Sequence, residues 1–241
     1  MILGCRAFAH RGLWADDGPP ENSIAAFKAA AEAGVGIELD VQLSSDGVPV
    51  VFHDPMLDRM TDAAGAVWHH KADDLTALQL AGAGERIPTL TRALSALPKG
   101  TPVLVELKAS PGDHGEYVDA LEKALFGVAV DWALMSFIWG LNEAAARAMP
   151  DQTRGSLAQP DLSGSGAPLV ERITACAPPT RDFTSLHHSD ISRGRQLLGP
   201  NAALTAWTVD SHAALETTRS ANAAAIFEKL DPALVLSTLT P

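Results

Sequence analysis

Residues 36–43 read Gly-Ile-Glu-Leu-Asp-Val-Gln-Leu, and residues 103–108 read Val-Leu-Val-Glu-Leu-Lys. Both stretches are short and rich in apolar residues, which is typical of buried β-strands. Each also carries two charged residues, and these are Glu38 with Asp40 and Glu106 with Lys108. Side chains two residues apart on a strand face the same way, so the members of each pair share a face. The two stretches therefore predict buried strands that present charge near their ends.

Short apolar runs alternate with alanine-rich helical runs along most of the chain. The candidate strands are Arg6–His10, Gly36–Leu43, Val48–His53, Val103–Leu107, Trp132–Phe137, Gln152–Gly155, Asp182–Thr184, Ala203–Val209 and Ala225–Phe227. The candidate helices are Ser23–Ala33, Leu90–Leu97, Tyr117–Leu125 and Leu141–Ala148. The candidate N-cap of the first helix is Asn22 or Ser23. This alternation predicts a mostly parallel sheet covered by helices. The candidate strands outnumber the eight of a closed barrel, so we expect at least one assignment to be wrong.

The chain length selects among the folds with parallel sheets. A chain of 241 residues is close to the length of one TIM-type (β/α)8 barrel. The alternative of an open sheet is weakened because no glycine-rich dinucleotide-binding motif follows the first candidate strand. Residues 54–88 have weak periodicity and predict an excursion from the barrel pattern, whereas residues 159–166 predict a loop. We therefore expect an α/β barrel that forms a single domain over residues 1–241.

The composition narrows the classes of partner. A net charge of −11 argues against nucleic acid as the main partner. An anionic substrate would need local positive charge from Arg, Lys or a metal ion. Cys5 and Cys176 give only weak evidence for a disulfide, and no apolar run is long enough to span a bilayer. We expect a cytoplasmic protein with no stable membrane insertion, and the sequence leaves its oligomeric state open.

Polar residues gather at the predicted carboxyl ends of the early strands. In chain order they are His10 and Arg11, Glu38 and Asp40, His53 and Asp54, and Glu106 and Lys108. In a barrel these strand ends meet at one rim, where the active sites of such barrels lie. The sequence therefore predicts an active site at this rim, and the prediction does not depend on any single motif.

Three of these residues are candidate metal ligands. The carboxylates of Glu38, Asp40 and Glu106 would repel one another at one rim, and a hard divalent cation would remove the repulsion. Carboxylate oxygens suit both Mg²⁺ and Ca²⁺. The alternative is a network of salt bridges in which the carboxylates pair with Arg11 and Lys108. The residue pattern alone leaves both interpretations open.

Two histidines are candidate catalytic residues. His10 and His53 are predicted on different strands of the same rim, where they can act as general acid and general base across a substrate. The alternative for each is a partly buried histidine with satisfied hydrogen bonds. Arg11 and Lys108 would supply the positive field that an anionic substrate needs.

Other residues carry weaker signals. Trp207 lies near the end of a candidate strand and can stack on the apolar part of a substrate, with a core position as the alternative. The adjacent histidines His187 and His188 would face opposite ways on a strand, so they are not a natural pair of metal ligands. We expect them on the surface or in a loop.

Several short motifs follow one another along the chain. They are Ala9-His10-Arg11-Gly12, Pro20-Glu21-Asn22-Ser23, Glu38-Leu39-Asp40-Val41, Val51-Phe52-His53-Asp54, Glu106-Leu107-Lys108 and Trp207-Thr208-Val209-Asp210. This ordered set resembles the signature of the glycerophosphodiester phosphodiesterase family over nearly the whole chain, densely as far as Leu107. The resemblance implies a TIM-type barrel with a small insertion after the third strand, at about residues 55–86. It also implies hydrolysis of glycerophosphodiesters to glycerol 3-phosphate and an alcohol, within lipid and glycerol metabolism.

The resemblance assigns roles to individual residues. It implies that Glu38, Asp40 and Glu106 bind one divalent cation, Mg²⁺ or Ca²⁺, and that His10 and His53 are the catalytic pair. The implied substrate contacts are Arg11 and Lys108 to phosphate, Trp207 to glycerol, and Asn22, which also caps the first helix.

One departure from the family pattern lies near the carboxyl terminus, where Glu228 and Lys229 replace an expected Thr-Asp pair. Two other functions stay open at this stage. One is a phospholipase D-like phosphodiesterase acting on lysophospholipids, for which Leu13, Trp14 and Trp68 could provide an apolar surface. The other is a non-catalytic phosphate-binding barrel.

Overall fold

The computed structural model describes residues 4–82, 84–161, 166–176 and 181–240. Part of the predicted loop, residues 162–165, therefore lies outside the described residues. The strands are β1 (Ala7–His10), β2 (Gly36–Leu43), β3 (Pro49–Val51), β4 (Pro102–Leu107), β5 (Asp131–Ser136), β6 (Arg154–Ala158), β7 (Phe183–His187), β8 (Leu204–Val209) and β9 (Ala224–Phe227). The helices are α1 (Ile24–Glu32), α2 (Ala72–Ala77), α3 (Leu90–Ser95), α4 (His114–Leu125), α5 (Trp139–Ala148), α6 (Leu169–Cys176), α7 (Ile191–Leu198), α8 (His212–Ser220) and α9 (Pro232–Leu239).

Eight of the strands form a closed parallel barrel. Its order is β1-β9-β8-β7-β6-β5-β4-β2, and β2 pairs with β1 to close it. Helices surround the barrel, and a large apolar cluster fills the space between the two layers. The predicted TIM-type (β/α)8 barrel is confirmed.

The interior of the barrel follows from the alternation of side chains along each strand. A second apolar cluster fills its lower part, and its buried members are Phe8, Leu104, Ala133, Met135, Leu157, Phe183, Ala224 and Ile226. Residues two positions after Phe8 on β1 and after Leu104 on β4 point to the same side and are polar, namely His10 and Glu106. The charged groups at the rim therefore lie next to this apolar cluster inside the barrel.

The ninth strand explains the surplus in the sequence-based count. β3 is not part of the barrel but pairs antiparallel with the end of β2, with Val51 opposite Val41. Each of the nine candidates overlaps a strand, so our expectation that one assignment is wrong is itself wrong. The count exceeded eight because β3 doubles back on β2 outside the barrel.

The segment after β3 is the insertion predicted for about residues 55–86. It contains two short 3₁₀ helices, Leu57–Arg59 and Val67–His69, followed by α2. Its own apolar cluster packs on β3, and the buried members are Val50, Phe52, Leu57, Met60, Val67, Leu75, Leu80 and Ile87. The insertion is thus held by a small core of its own. That residues 1–241 form one domain stays a prediction.

The amino end of α1 decides which of two neighbours is the cap. The side chain of Ser23 accepts a hydrogen bond from the backbone N–H of Ala26 at 3.1 Å, as an N-cap residue does. Asn22, the other candidate, is therefore free to point toward the barrel.

Cys5 and Cys176 are free thiols. Among the residues that the structure describes, no helix has the length and apolar character needed to cross a bilayer.

Candidate active site

The turn after β1 is the first part of the site along the chain. Arg11 and Gly12 both have positive φ angles, +59° and +84°. A Cβ atom on Gly12 would come within 2.8 Å of Ala26, so only glycine fits there without a shift. This tight turn directs the backbone N–H of Arg11 to Glu38 Oε2 at 3.1 Å.

The three candidate metal ligands converge inside the barrel. Asp40 on β2 lies opposite Glu106 on β4 in the strand register, and Glu38 lies two residues before Asp40. One carboxylate oxygen from each of the three residues lies within 4.8 Å of the others. All three residues are buried. The structure thus brings together the carboxylates that the sequence placed at one rim.

Two cationic side chains lie against these carboxylates. Lys108 Nζ is 2.7 Å from Glu106 Oε1 and 3.4 Å from Asp40 Oδ1. Arg11 Nε is 3.5 Å from Asp40 Oδ2. The salt bridges of the alternative interpretation are therefore present, but two cations face three carboxylates. Within the described residues, Glu38 Oε1 and Asp40 Oδ1 are buried and accept no hydrogen bond.

The excess of negative charge among the three carboxylates shifts their pKa values. Burial, followed by repulsion from Asp40 and Glu106, raises the pKa of Glu38 well above its usual value. Burial and the charge of Asp40 raise the pKa of Glu106 to about 7. Burial would also raise the pKa of Asp40, but the charges of Lys108 and Arg11 hold it below its ordinary range. The lowered pKa of Asp40 favours its carboxylate form, whereas the raised pKa values of Glu38 and Glu106 favour their protonated forms.

These features fit a hard divalent cation. Three buried carboxylates offer oxygen ligands at one point, and two buried oxygens lack a hydrogen bond there. A divalent cation prefers oxygen ligands of this kind and would offset the repulsion that raises the pKa values. The residues present therefore suit Mg²⁺ or Ca²⁺.

Asn22 lies behind the carboxylates. It is buried, its Nδ2 donates to Asp40 Oδ2 at 2.8 Å, and its Oδ1 accepts from the Asp40 N–H at 3.3 Å. This placement supports a role in holding Asp40 in position. The predicted contact between Asn22 and substrate stays a prediction.

His53 reaches the rim on a strand that runs antiparallel to its neighbour. It follows β3, which runs back toward the barrel, and the Phe52 N–H donates to the Asp40 carbonyl at 3.0 Å. The expectation that His53 ends a parallel strand is therefore wrong, although its predicted position at the rim is right. The antiparallel pairing of β3 with β2 produces that position.

A chain of ion pairs surrounds His53. Its Nδ1 is 2.7 Å from Asp54 Oδ1. Arg59 from the insertion bridges Asp54 and Glu21, with 2.6 Å between Arg59 Nη2 and Glu21 Oε1. Arg11 Nη1 donates to the same Glu21 oxygen at 2.8 Å. Burial lowers the pKa of His53, which favours its neutral ring.

His10 has a carboxylate partner of its own. It is the last residue of β1 and lies opposite Glu38 in the strand register. Its Nδ1 is 2.7 Å from Glu228 Oε2. Each candidate catalytic histidine is therefore paired with a carboxylate through Nδ1.

The candidate catalytic residues surround a cavity of about 110 Å³. Its charged side is lined by His10, Arg11, Glu38, His53, Glu106 and Lys108. Its opposite side is lined mainly by apolar groups, which are Met135, Phe137, Leu157, Trp207 and Ile226. Residues on or just after β1 to β4 therefore supply charge, and residues on or just after β5, β6, β8 and β9 supply apolar surface.

Comparison with known proteins identifies the family. Residues 10–228 match the glycerophosphoryl diester phosphodiesterase family. The chain belongs to this family. Curated relatives in the family include a glycerophosphodiester phosphodiesterase of Caldanaerobacter subterraneus, 40% identical over 131 residues, which cover 49% of this chain and 53% of the relative. Human glycerophosphodiester phosphodiesterase 1 is 39% identical over 98 residues, which cover 37% of this chain and 29% of the relative. The chain spans about half the length of the first curated relatives it matches.

Solved structures of the glycerophosphodiester phosphodiesterase class share the barrel. An Oleispira antarctica phosphodiesterase in complex with the product sn-glycerol-3-phosphate has a TM-score of 0.78 and 24% identity, covering 97% of this chain and 96% of that one. A glycerophosphodiester phosphodiesterase from Thermotoga maritima has a TM-score of 0.71 and 22% identity, covering 93% and 94%. These likenesses support the fold.

Trp207 lines the cavity in this member of the family. Its ring makes edge contacts with Phe137 and His187, with centroids 5.2 and 5.4 Å apart. The indole N–H of Trp207 is buried and has no acceptor among the described residues. Trp207 is thus in contact with the cavity rather than confined to the core, and its indole N–H is available as a donor.

Sequence reasoning missed two residues at this rim. His187, expected on the surface or in a loop, is the last residue of β7 and packs on Trp207. The candidate strand stopped three residues short, at Thr184, and so concealed its position. Glu228 was noted only as a departure from the family pattern. The signal for it was the period of two along β9, because Ala224 and Ile226 both face the barrel interior.

Proposed function

We propose that this chain hydrolyses glycerophosphodiesters to sn-glycerol 3-phosphate and an alcohol, with one divalent cation, Mg²⁺ or Ca²⁺. The observation that carries the proposal is the position of two histidines around a cavity whose wall contains Glu38 and Glu106, two of the three converging carboxylates. Family membership and the product bound by the Oleispira antarctica relative support the substrate class. The cytoplasmic location and the place in lipid and glycerol metabolism belong to the same proposal.

Each residue at the rim has a proposed part in the reaction. Glu38, Asp40 and Glu106 hold the cation, which when bound stabilises negative charge on phosphate oxygens. Arg11 and Lys108 provide positive charge beside the phosphate, in a barrel whose overall charge is negative.

His10 and His53 move the protons. An oxygen nucleophile, either water or a glycerol hydroxyl, forms a bond to phosphorus as the bond from phosphorus to the alcohol oxygen breaks. One histidine takes the proton of the nucleophile, and the other gives a proton to the leaving alkoxide. Where the glycerol hydroxyl attacks, water then opens the cyclic phosphate with the two roles exchanged.

The apolar side of the cavity is proposed to hold the carbon skeleton of the substrate. Trp207 and Phe137 present aromatic surface opposite the charged side, and the indole N–H of Trp207 can donate to a substrate oxygen. The cavity of about 110 Å³ is small beside the 300–1,000 Å³ typical of sites for larger ligands. A compact glycerophosphate group suits this volume.

The structure offers little to favour a lysophospholipid. Leu13, Trp14 and Trp68, which we considered as an apolar surface for acyl chains, are all half-buried. Leu13 packs against the main core, and Trp14 faces Lys229. They do not form an exposed apolar surface, so we rank the lysophospholipid reaction second.

The test is release of glycerol 3-phosphate from glycerophosphocholine by the wild-type protein, with Mg²⁺, with Ca²⁺ and with chelator. We expect turnover that depends on a divalent cation. His10→Ala and His53→Ala should each lower kcat by about 10²-fold or more, the usual scale of acid–base catalysis. The matched control is His212→Ala, because His212 is exposed at the start of α8 and does not line the cavity.

Near-normal activity in either histidine variant would exclude that residue from proton transfer. Turnover of lysophosphatidylcholine but not of glycerophosphocholine would replace the proposed substrate class with lysophospholipids. No turnover of either compound with either cation would favour the non-catalytic phosphate-binding barrel.

A further inference from the structure

Glu228 occupies a position where the sequence departs from the family pattern, and it lies at the rim. It follows β9, two residues after Ile226, which lines the cavity. Its Oε2 is 2.7 Å from Nδ1 of His10, and both side chains are less than one-fifth exposed. The two residues are 218 positions apart in the chain, and the pairing of β9 with β1 brings them together.

We infer that Glu228 is a positioning residue, which holds the ring of His10 so that Nε2 is the nitrogen available to substrate. The inference rests on the proposed function, because it gives His10 a role in proton transfer. A carboxylate can only accept hydrogen bonds, so the short contact requires that Nδ1 carry a proton. In the neutral ring Nε2 is then the proton acceptor, and it belongs to a side chain that lines the cavity.

The ionisation of Glu228 and the contacts of its backbone agree with this role. Its hydrogen bond with His10 lowers the pKa of the Glu228 carboxyl, so the carboxylate form is present at neutral pH. The backbone N–H of Glu228 donates to the Val209 carbonyl at 3.2 Å, which fixes the start of the side chain beside β8. The next residue, Lys229, places its Nζ 5.4 Å from the centre of the Trp14 ring. Contacts on both sides thus hold the segment in place.

The rival explanation is an ion pair that only joins two strands. β1 and β9 are already joined by parallel pairing, with Ala7 opposite Ala225 and Ala9 opposite Phe227. A partly exposed pair adds little to such a contact. His53 has the same arrangement, with Asp54 Oδ1 at 2.7 Å from its Nδ1. The same pairing on both histidines is expected if the catalytic rings must each present Nε2.

The experiment combines kinetics with NMR of the histidine rings. In Glu228→Gln, an amide can donate or accept, so the ring of His10 is no longer confined to one tautomer. We expect kcat for glycerophosphocholine to fall at least about 10-fold, with KM nearly unchanged. In ¹⁵N-histidine spectra, His10 of the wild type should show the Nδ1–H tautomer, and the variant a mixture of both. The resonance of His10 is assigned by its absence in His10→Ala.

Two controls separate positioning from folding. Glu216→Gln removes the carboxylate of an exposed ion pair with Arg219 on α8 and should leave kcat and the His10 spectrum unchanged. In the His10→Ala background, Glu228→Gln should lower the rate no further, because there is no ring left to position.

Some outcomes would overturn the inference. An unchanged His10 spectrum in Glu228→Gln would do so, whether or not the melting temperature falls, and so would an unchanged kcat. A further loss of rate in the His10→Ala background would assign Glu228 a role that does not act through His10. If the wild type does not turn over glycerophosphocholine, the proposed function fails separately, and the spectrum alone decides whether Glu228 fixes the ring.

Discussion

The turn after β1 shows how much a single residue can determine at the start of the site. The backbone N–H of Arg11 binds Glu38, and its side chain binds Glu21. Both contacts depend on the left-handed turn through Arg11 and Gly12, and on the close approach of Gly12 to Ala26. A glycine that contacts no substrate therefore sets the position of two groups that line the cavity.

We predict that Gly12→Ala lowers the free energy of unfolding by at least about 2 kcal/mol. The added Cβ meets Ala26 at 2.8 Å, and alanine is also disfavoured at a φ of +84°. Gly34→Ala is the matched control, because Gly34 has a φ of +74° but no heavy atom within 4 Å of the added Cβ. Urea denaturation should show a smaller loss there, about 1 kcal/mol. Equal losses in the two variants would mean that the contact with Ala26 does not matter.

Single residues also show where sequence reasoning reached its limit. The candidate metal ligands and both candidate histidines could be picked out because each lies within or directly after an apolar run in the first half of the chain. The partnership of His10 with Glu228 was not found, because it depends on which strand closes the barrel beside β1. His187 was missed because the strand before it contains polar residues, Thr184 and Ser185, that obscure its end.

At the scale of the element, β3 and the insertion place side chains at the rim that do not belong to the barrel strands. β3 runs back along β2 and places His53 at the rim. The insertion then returns Arg59 to bridge Glu21 and Asp54. The sequence predicted the insertion from its weak periodicity. The Asp46-Gly47 pair between the second and third candidate strands is a hairpin signal, and it could have indicated that β3 is antiparallel to β2.

The small core of the insertion should matter for stability on its own. Leu57 is fully buried in that core, in the helical turn that carries Arg59. We predict that Leu57→Ala lowers the free energy of unfolding by about 2–5 kcal/mol, the usual range for a buried leucine. Leu197→Ala is the control, because Leu197 is 49% exposed on α7 and its loss should change stability by less than about 0.5 kcal/mol. A loss below about 1 kcal/mol for Leu57→Ala would show that the insertion is not packed as described.

At the scale of the whole molecule, the buried carboxylates link stability, pH and cation binding. The pKa of Glu106, raised by burial and by Asp40, is about 7 in the folded protein, against about 4.3 in an unfolded chain. The stability that comes from its protonated form is present below about pH 4.3 and is lost as the pH rises toward 7. Glu38 changes in the same direction. A bound cation takes the place of the proton and should restore what is lost.

We therefore predict that Ca²⁺ or Mg²⁺ raises the melting temperature more at pH 8 than at pH 5. At pH 5 the cation must displace protons from Glu38 and Glu106, whereas at pH 8 it binds carboxylates that repel one another. Calorimetry with each cation and with chelator measures both increments, and NaCl at equal ionic strength controls for screening. Equal increments at the two pH values would show that these carboxylates do not bind the cation.

The proposed function assigns the charged side of the cavity to the phosphate and the apolar side to the rest of the substrate. The charged side is tied into hydrogen bonds and ion pairs through Asn22, Glu21 and Glu228, so a change there disturbs several partners. The apolar side consists of individual side chains on separate strands, such as Met135, Leu157 and Trp207. Duplicated copies of such a gene could diverge on the apolar side and accept phosphodiesters with another group in place of glycerol, while inheriting the phosphate chemistry intact. Laboratory libraries confined to those positions would follow the same route.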